Sequence, residues 1–293
     1  MRALRKLRIT LEMIKFEHSV FALPFALTGA LLAAREEKLS LAAVGGKLGW
    51  VVLAMVSARS AAMAFNRLAD AQIDARNPRT RMRAIPSGVL SRSFTAGFVA
   101  VASATFLLAA GKLNALCLKL APLALGIVFF YSYTKRFTAF SHLILGFCLG
   151  IAPAAAWIAV RGRLDAPILL LTAAVMLWTA GFDIIYSCQD YDFDRRERLH
   201  SMPARLGIAP ALWVARLLHA AMVVLLVWLA EALSLGPLSL AGVGLVTALL
   251  IYEHSLVRPG DLSRVNAAFF TVNGVVSVLF FLFWAADILY AAA

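Results

Sequence analysis

The stretch FNRLADAQIDARNPRTRMRAIPSG, residues 65–88, follows directly on a long apolar run and carries Asn66, Asp70, Asp74 and a series of arginines. Charged groups are costly beside hydrocarbon, and where they occur at membrane depth they usually mark function. The remainder of the chain shows that hydrocarbon is its solvent. Of its 293 residues 62% are hydrophobic and only 15% are charged, and the mean hydropathy is +0.82. A water-soluble domain of that length needs more polar surface, so the composition defines an integral membrane protein.

Apolar stretches of about 20 residues, enough to cross roughly 30 Å of hydrocarbon, recur along the whole length. Nine are expected, at 18–34, 48–66, 93–111, 114–133, 139–160, 166–187, 208–230, 236–257 and 266–288. The fold class is therefore an all-α membrane bundle of about nine transmembrane helices, with eight as the alternative count. No linker or low-complexity run interrupts it, so residues 1–293 are expected to form a single domain. The basic start and apolar run of residues 1–34 have the look of a signal peptide. No convincing small-x-small cleavage site follows, and eight further apolar segments make the membrane assignment independent of it.

The net charge is +12, from 28 Lys and Arg against 16 Asp and Glu. In a membrane protein this reports orientation. With the N-terminus inside, Arg2, Arg5, Lys6, Arg8, Lys15, Arg76, Arg79, Arg81, Arg83 and Arg92 lie on the cytoplasmic side. Lys135, Arg136, Arg195, Arg196, Arg198, Arg205, Arg258 and Arg264 join them, and of the loop cations so assigned only Arg35, Lys38, Lys47, Lys112, Arg161 and Arg163 lie outside. The positive-inside rule thus predicts a multi-pass protein of the inner membrane with its charged loops in the cytoplasm. The lipid bilayer is the implied partner; nucleic acid is not required, and no obligate protein partner is evident. Cys117, Cys148 and Cys188 lie singly in apolar segments, which points to burial and not to a disulfide or metal site. His142 and His219 are read the same way.

Acids gather in two places four helices apart, first Asp70 and Asp74, then Asp183, Asp190, Asp192, Asp194 and Glu197. Each group follows a helix running from outside to inside, which suggests a weak internal repeat of four helices plus four, with one extra. Asn66, Asp70 and Asp74 are spaced four apart, as are Asp190 and Asp194, so on a helix each set shares one face. Oxygen donors without sulfur or imidazole suit a hard cation such as Mg²⁺, and Mg²⁺ is usually held by a few carboxylates together with phosphate oxygens. The metal ligands expected are Asn66, Asp70, Asp74, Asp190 and Asp194. Arg79, Thr80 and Arg83 follow the first acids, and YSYTKR supplies Tyr131, Lys135 and Arg136; guanidinium and ammonium groups are natural ligands for phosphate oxygens. Pro78 and Pro86 end the helix and leave a structured loop beside the site. A carbocation formed when an allylic diphosphate ionises needs a dry apolar pocket, which a bundle rich in Phe, Leu and Ala offers.

NRLADAQIDARNPRT resembles the first aspartate-rich motif of the UbiA family of membrane prenyltransferases, and YSCQDYDFDRRERLHSMPARLG resembles the second, with Asp190 and Asp194 as the matching pair. YSYTK is similar to the family's Tyr-x-x-x-Lys element, and FEHSVFALPFALTGALLA has the flavour of the 4-hydroxybenzoate polyprenyltransferase branch. Where many members carry Asn-Asp, this chain has Asn66-Arg67. The resemblance implies a nine-helix bundle that joins a polyprenyl diphosphate to an aromatic acceptor with Mg²⁺ as cofactor. It implies catalysis by Asp70, Asp74, Asp190, Asp194 and Lys135, and diphosphate binding by Asn66, Tyr131 and Lys135, to which the phosphate-ligand chemistry above adds Arg79 and Arg83. Asp183 or another acid takes the ring proton; the sequence does not choose between them. The acceptor expected is 4-hydroxybenzoate, as in ubiquinone biosynthesis; QDYDFDRRERLHSMP also looks close to members of menaquinone synthesis, which makes a dihydroxynaphthoate-type acceptor the alternative. Two rival classes fit less well. CDP-alcohol phosphotransferases place their acids in a contiguous Asp-Gly and Ala-Arg pattern that is absent, and a transporter needs charge near mid-membrane.

Cysteines placed at 79 and 196 are expected to react with an impermeant thiol reagent from the same side of the membrane, and cysteines at 38 and 163 from the other. Labelling of 79 and 196 from opposite sides would refute this topology.

Overall fold

Residues 2–14 and 21–290 are described in the computed structural model. Lys15, residues 16–20 of the N-terminal apolar stretch, and with them the start of the first expected span, lie outside the described residues. An amphipathic helix α1 (Arg2–Met13) comes first, followed by α2 (Leu23–Glu36) and α3 (Leu41–Ala69). A six-residue α4 (Ala71–Arg76) leads into a turn-rich segment and then α5 (Arg92–Leu113), α6 (Ala115–Thr134), α7 (Ser141–Arg161) and α8 (Ala166–Ser187). Two short helices, α9 (Tyr191–Arg196) and α10 (Met202–Leu206), precede α11 (Ile208–Ala232), α12 (Pro237–Ser255) and α13 (Asn273–Tyr290).

Eight helices among the described residues are long and apolar enough to cross a membrane. The ninth long helix, α2, has 14 residues, or about 21 Å at 1.5 Å per residue, and is buried along most of its length. Ser40 starts α3 well before residue 48, the expected edge, because its side chain accepts the N–H of Ala43 and caps the helix.

Water offers no hydrophobic drive between helices in lipid, so close backbone approach has to hold them. Gly146 and Gly150 form a small-xxx-small pair on α7. A Cβ at Gly146 would meet the carbonyl oxygen of Met176, and one at Gly150 would lie 2.6 Å from that of Thr172, both on α8. On the far side of α7, Gly29 of α2 abuts the Pro153 carbonyl. The core of this half is aromatic: Phe25 stacks on Phe280 at 4.7 Å and lies 4.9 Å from Trp178.

A buried polar chain fixes the start of the last helix. Trp178 donates to Asn273, and Asn273 donates to Glu253, each at 2.7 Å. Asn273 also donates to the Ala268 carbonyl within a π-helical turn at Ala267–Val272. That turn aims Phe269 and Phe270 towards α8.

The two aspartate motifs share a local backbone design. Asp70 ends α3 with φ −94° and ψ 5°, and Asp190 precedes α9 with φ −97° and ψ 8°. Each kink is followed by a six-residue helix carrying the second aspartate, Asp74 or Asp194, in its first turn. The expected single helical face is therefore corrected to a kinked one. Asp favours turns over helix interiors, and the kink stays shallow: the Asp70 N–H still donates to the Asn66 carbonyl at 2.9 Å, and the Asp74 N–H to that of Asp70 at 2.8 Å.

Replacing Gly146 by Ala is expected to lower folded stability in detergent by about 1–3 kcal/mol, the usual cost of overpacking. Gly126→Ala on α6, where nothing lies within 4 Å of the new carbon, should be neutral. Thermal unfolding of both variants in one detergent checks the pair.

Candidate active site

Charge collects at the end of the bundle where α3, α6 and α8 finish. Each of the four motif carboxylates faces a cation brought from another segment. Asp70 pairs with Arg136 at 3.1 Å, Asp74 with Arg83 at 2.7 Å, Asp190 with Arg79 at 2.5 Å and Asp194 with Lys135 at 2.9 Å. The Arg79–Asp190 pair is bidentate, with Nε 3.0 Å from Oδ1, and it ties the first motif to the second. Asn77 reinforces the crossing. Its amide donates to Asp190 Oδ1 at 3.1 Å while its own Oδ1 accepts the Arg79 N–H, which builds the turn that carries Arg79. Thr80 closes the same loop by donating to the Asp74 carbonyl.

Burial pushes the Asp70 carboxyl above its ordinary value, against the hydrogen bond and charge of Arg136. Burial also works against the charge of Arg79, but the hydrogen bonds and charge of Asp190 outweigh it and hold this guanidinium more firmly protonated than usual.

Asn66 donates to Asp70 Oδ2 at 2.9 Å and accepts from Arg67 at 3.3 Å. Asn66, Arg67, Arg79, Arg83, Tyr131 and Asp183 line a cavity of about 1010 Å³. The motif carboxylates and Lys135 do not line it; Arg79 and Arg83 present the cations of their pairs to its polar end. From Arg67 back to Val51 the cavity follows α3, a rise of about 24 Å. Its walls there are mainly aliphatic and aromatic, with the guanidinium-bearing Arg59 of α3 among the lining residues. Near the polar end Phe182, Tyr186, Phe269 and Phe270 pack against one another, with Tyr186 and Phe269 centroids 4.1 Å apart. Towards the other end Leu120, Leu123 and Leu164 both line the cavity and are exposed on the outside of the bundle. Cys117 and Cys148 are half-buried in its wall, Cys188 is buried, and all three are free thiols.

Asp183 projects from α8 into the cavity, and its Oδ2 lies 2.6 Å from Nδ1 of His142. His142 and Asn77 contact site carboxylates directly, yet neither sits in a motif with recognisable spacing. A lone histidine in an apolar run and an Asn-Pro pair in a loop gave no signal of that kind. Arg136, dwarfed in the sequence by its neighbour Lys135, turns out to be the partner of Asp70.

A helical membrane bundle with paired carboxylates and arginines at the mouth of a long apolar cavity defines a site for an anionic head on a lipid-like tail. The model of the UbiA prenyltransferase family matches residues 22–286, and the chain belongs to that family. A protein named 4-hydroxybenzoate octaprenyltransferase from Edwardsiella ictaluri (strain 93-146) is 33% identical over 240 residues, 81% of this chain and 83% of its own length. The apo structure of a UbiA homolog from Aeropyrum pernix K1 is 35% identical and superposes with a TM-score of 0.82, covering 95% of this chain and 99% of that one. A UbiA homolog from Archaeoglobus fulgidus, solved bound to DMAPP and Mg²⁺, shares the fold with a TM-score of 0.67 at 18% identity, over 95% of this chain and 98% of that one. The chain is thus a multi-pass membrane prenyltransferase.

Arg136→Gln should cost about 1 kcal/mol or less at neutral pH, since both partners keep some solvent contact. The sign of its pH dependence follows from the raised Asp70 carboxyl. Only ionised Asp70 misses the lost cation, so the deficit against wild type should shrink as pH falls through the Asp70 pKa. Thermal unfolding of both proteins across acidic to neutral pH measures it; a deficit independent of pH would contradict the pairing.

Proposed function

We propose that the protein transfers a polyprenyl group from its diphosphate to an aromatic quinone precursor, with 4-hydroxybenzoate as the acceptor, at the cytoplasmic face of the inner membrane. One observation carries this reading: Arg79 and Arg83 stand at the polar end of a long apolar cavity, each already paired with a motif carboxylate. The name of the Edwardsiella relative supports the acceptor, and the excess of cations at the motif end of the helices supports the orientation.

Asp70, Asp74, Asp190 and Asp194, with Asn66, supply oxygen donors of the kind that suits Mg²⁺, although each carboxylate here faces a cation and no three acids are gathered around one point among the described residues. They are proposed to hold it, as the metal and DMAPP in the Archaeoglobus homolog suggest. When bound, the metal supplies positive charge to the leaving diphosphate. The chain's own residues do the rest. Arg79 and Arg83 exchange carboxylate oxygens for phosphate oxygens, whose geometry the guanidinium fork matches equally well. Lys135 leaves Asp194 for the same group, and Tyr131 borders it. As the allylic C–O bond breaks, its electron pair stays on the diphosphate, and these cations strengthen their hold as that charge grows. Phe182, Tyr186, Phe269 and Phe270 keep water from the allylic cation. The ring carbon of the acceptor supplies the new bond, and Asp183 takes the proton that the ring gives up.

The test is transfer by purified protein, with polyprenyl diphosphates offered against 4-hydroxybenzoate and dihydroxynaphthoates, with and without divalent metal. Asp70→Asn and Asp190→Asn should each abolish turnover without loss of folded protein. Lys135→Ala should lower kcat about 10²–10³-fold, as the loss of one charge-stabilising donor does elsewhere, and leave the KM for the aromatic acid nearly unchanged. Turnover that persists without metal, or in both aspartate variants, would refute the assignment.

A further inference from the structure

His142 is held at both ring nitrogens. Its Nε2 accepts the backbone N–H of Met202 at 3.1 Å, and its Nδ1 lies 2.6 Å from Asp183 Oδ2. A backbone amide only donates, so Nε2 carries the lone pair and the single proton of a neutral imidazole sits on Nδ1, directed at Asp183. The ring is buried, whereas the Asp183 side chain keeps 18% exposure and lines the cavity.

We infer that His142 is a positioning residue for removal of the ring proton: it clamps Oδ2 of Asp183 and so directs Oδ1 to the acceptor. This rests on the reading of Asp183 as the base. The balance is complete within the proposed reaction. The diphosphate leaves with the C–O bonding pair, the ring's π pair forms the new C–C bond to the allylic cation, the C–H bond then breaks, its pair restores the aromatic ring, and the proton goes to Oδ1. The geometry also excludes a relay. With Nε2 occupied by the Met202 amide, His142 has no free site to pass the proton on, so Asp183 returns it to the polar end of the cavity. The same clamp has a structural side, because Met202 opens the short helix after the second aspartate motif, and the test has to separate the two roles.

Three proteins are compared with an acceptor carrying either hydrogen or deuterium at the reacting ring carbon. His142→Leu removes the donor; His142→Asn retains an amide N–H where Nδ1 stands. In His142→Leu, kcat should fall about 10²-fold, the low end for general-base catalysis, the KM for the prenyl diphosphate should hold, and a primary isotope effect larger than that of wild type should appear. His142→Asn should recover most of kcat and the wild-type isotope effect. Equal losses in both variants with no change in isotope effect would reduce His142 to a structural staple and overturn the inference, as would a wild-type rate in His142→Leu. Should His142→Leu fail to fold, long-range ¹H–¹⁵N spectra of histidine-labelled wild type decide: an Nδ1–H tautomer at His142 supports the clamp, and an Nε2–H tautomer overturns it. Wild-type protein that prenylates no aromatic acid would sink the reading of Asp183 itself, a result distinct from any of these.

Discussion

A charge at the edge of hydrocarbon must be kept as one of a pair, and this constraint organises the end of the bundle that carries the site. An unpaired buried carboxylate is far costlier than a paired one, so each of the four motif aspartates comes with a cation that the fold must deliver. Arg83 and Arg79 arrive on the loop after α4, and Lys135 and Arg136 on the turn after α6. The acids therefore position those two connections. Because Asp190 binds both Arg79 and Asn77, the two halves of the molecule are joined at the place where a substrate's head group would enter.

Much of this was legible in the sequence. Apolar runs of membrane length fix helix positions because a lipid environment leaves the backbone no other choice, and eight of the nine expected spans fall on the helices of membrane length among the described residues, the 18–34 span meeting the shorter α2. The exception in detail is α3, which Ser40 caps early. Periods of four revealed the aspartates. What the sequence could not carry was pairing across space. Which arginine meets which aspartate depends on loop paths, and the roles of Asn77, Arg136 and His142 exist only once segments far apart in the chain come together. The kink at Asp70 was equally hidden, since a spacing of four reads the same through a continuous helix or a shallow break.

That kink recurs at Asp190 with nearly the same dihedral angles, and each break is followed by a six-residue helix of the same length. The repeat suggested by the acids is thus a repeat of backbone as well as of residue type. The two copies are not equivalent in their partners, however. The first keeps Asn66 one turn ahead of its kink, whereas the second has Tyr186 there, whose hydroxyl accepts a hydrogen bond from Arg79. One half offers an amide beside its carboxylates and the other an aromatic ring, a division of labour that an allylic diphosphate, charged at one end and oily from the first carbon on, is well matched to use.

The bundle is also uneven from side to side. Helix α8 and its continuation are mostly buried, whereas little of α6 is buried, and the glycine seam locks α7 onto α8. The rigid side holds Asp183 and His142; the thin side supplies Leu120, Leu123 and Phe106 to the tail region of the cavity. Substitutions on the thin wall can lengthen or shorten the space for the tail without disturbing the seam. The length of the tail region is accordingly separable from the charged end in this architecture: one wall sets the first, and the paired aspartates and arginines hold the second.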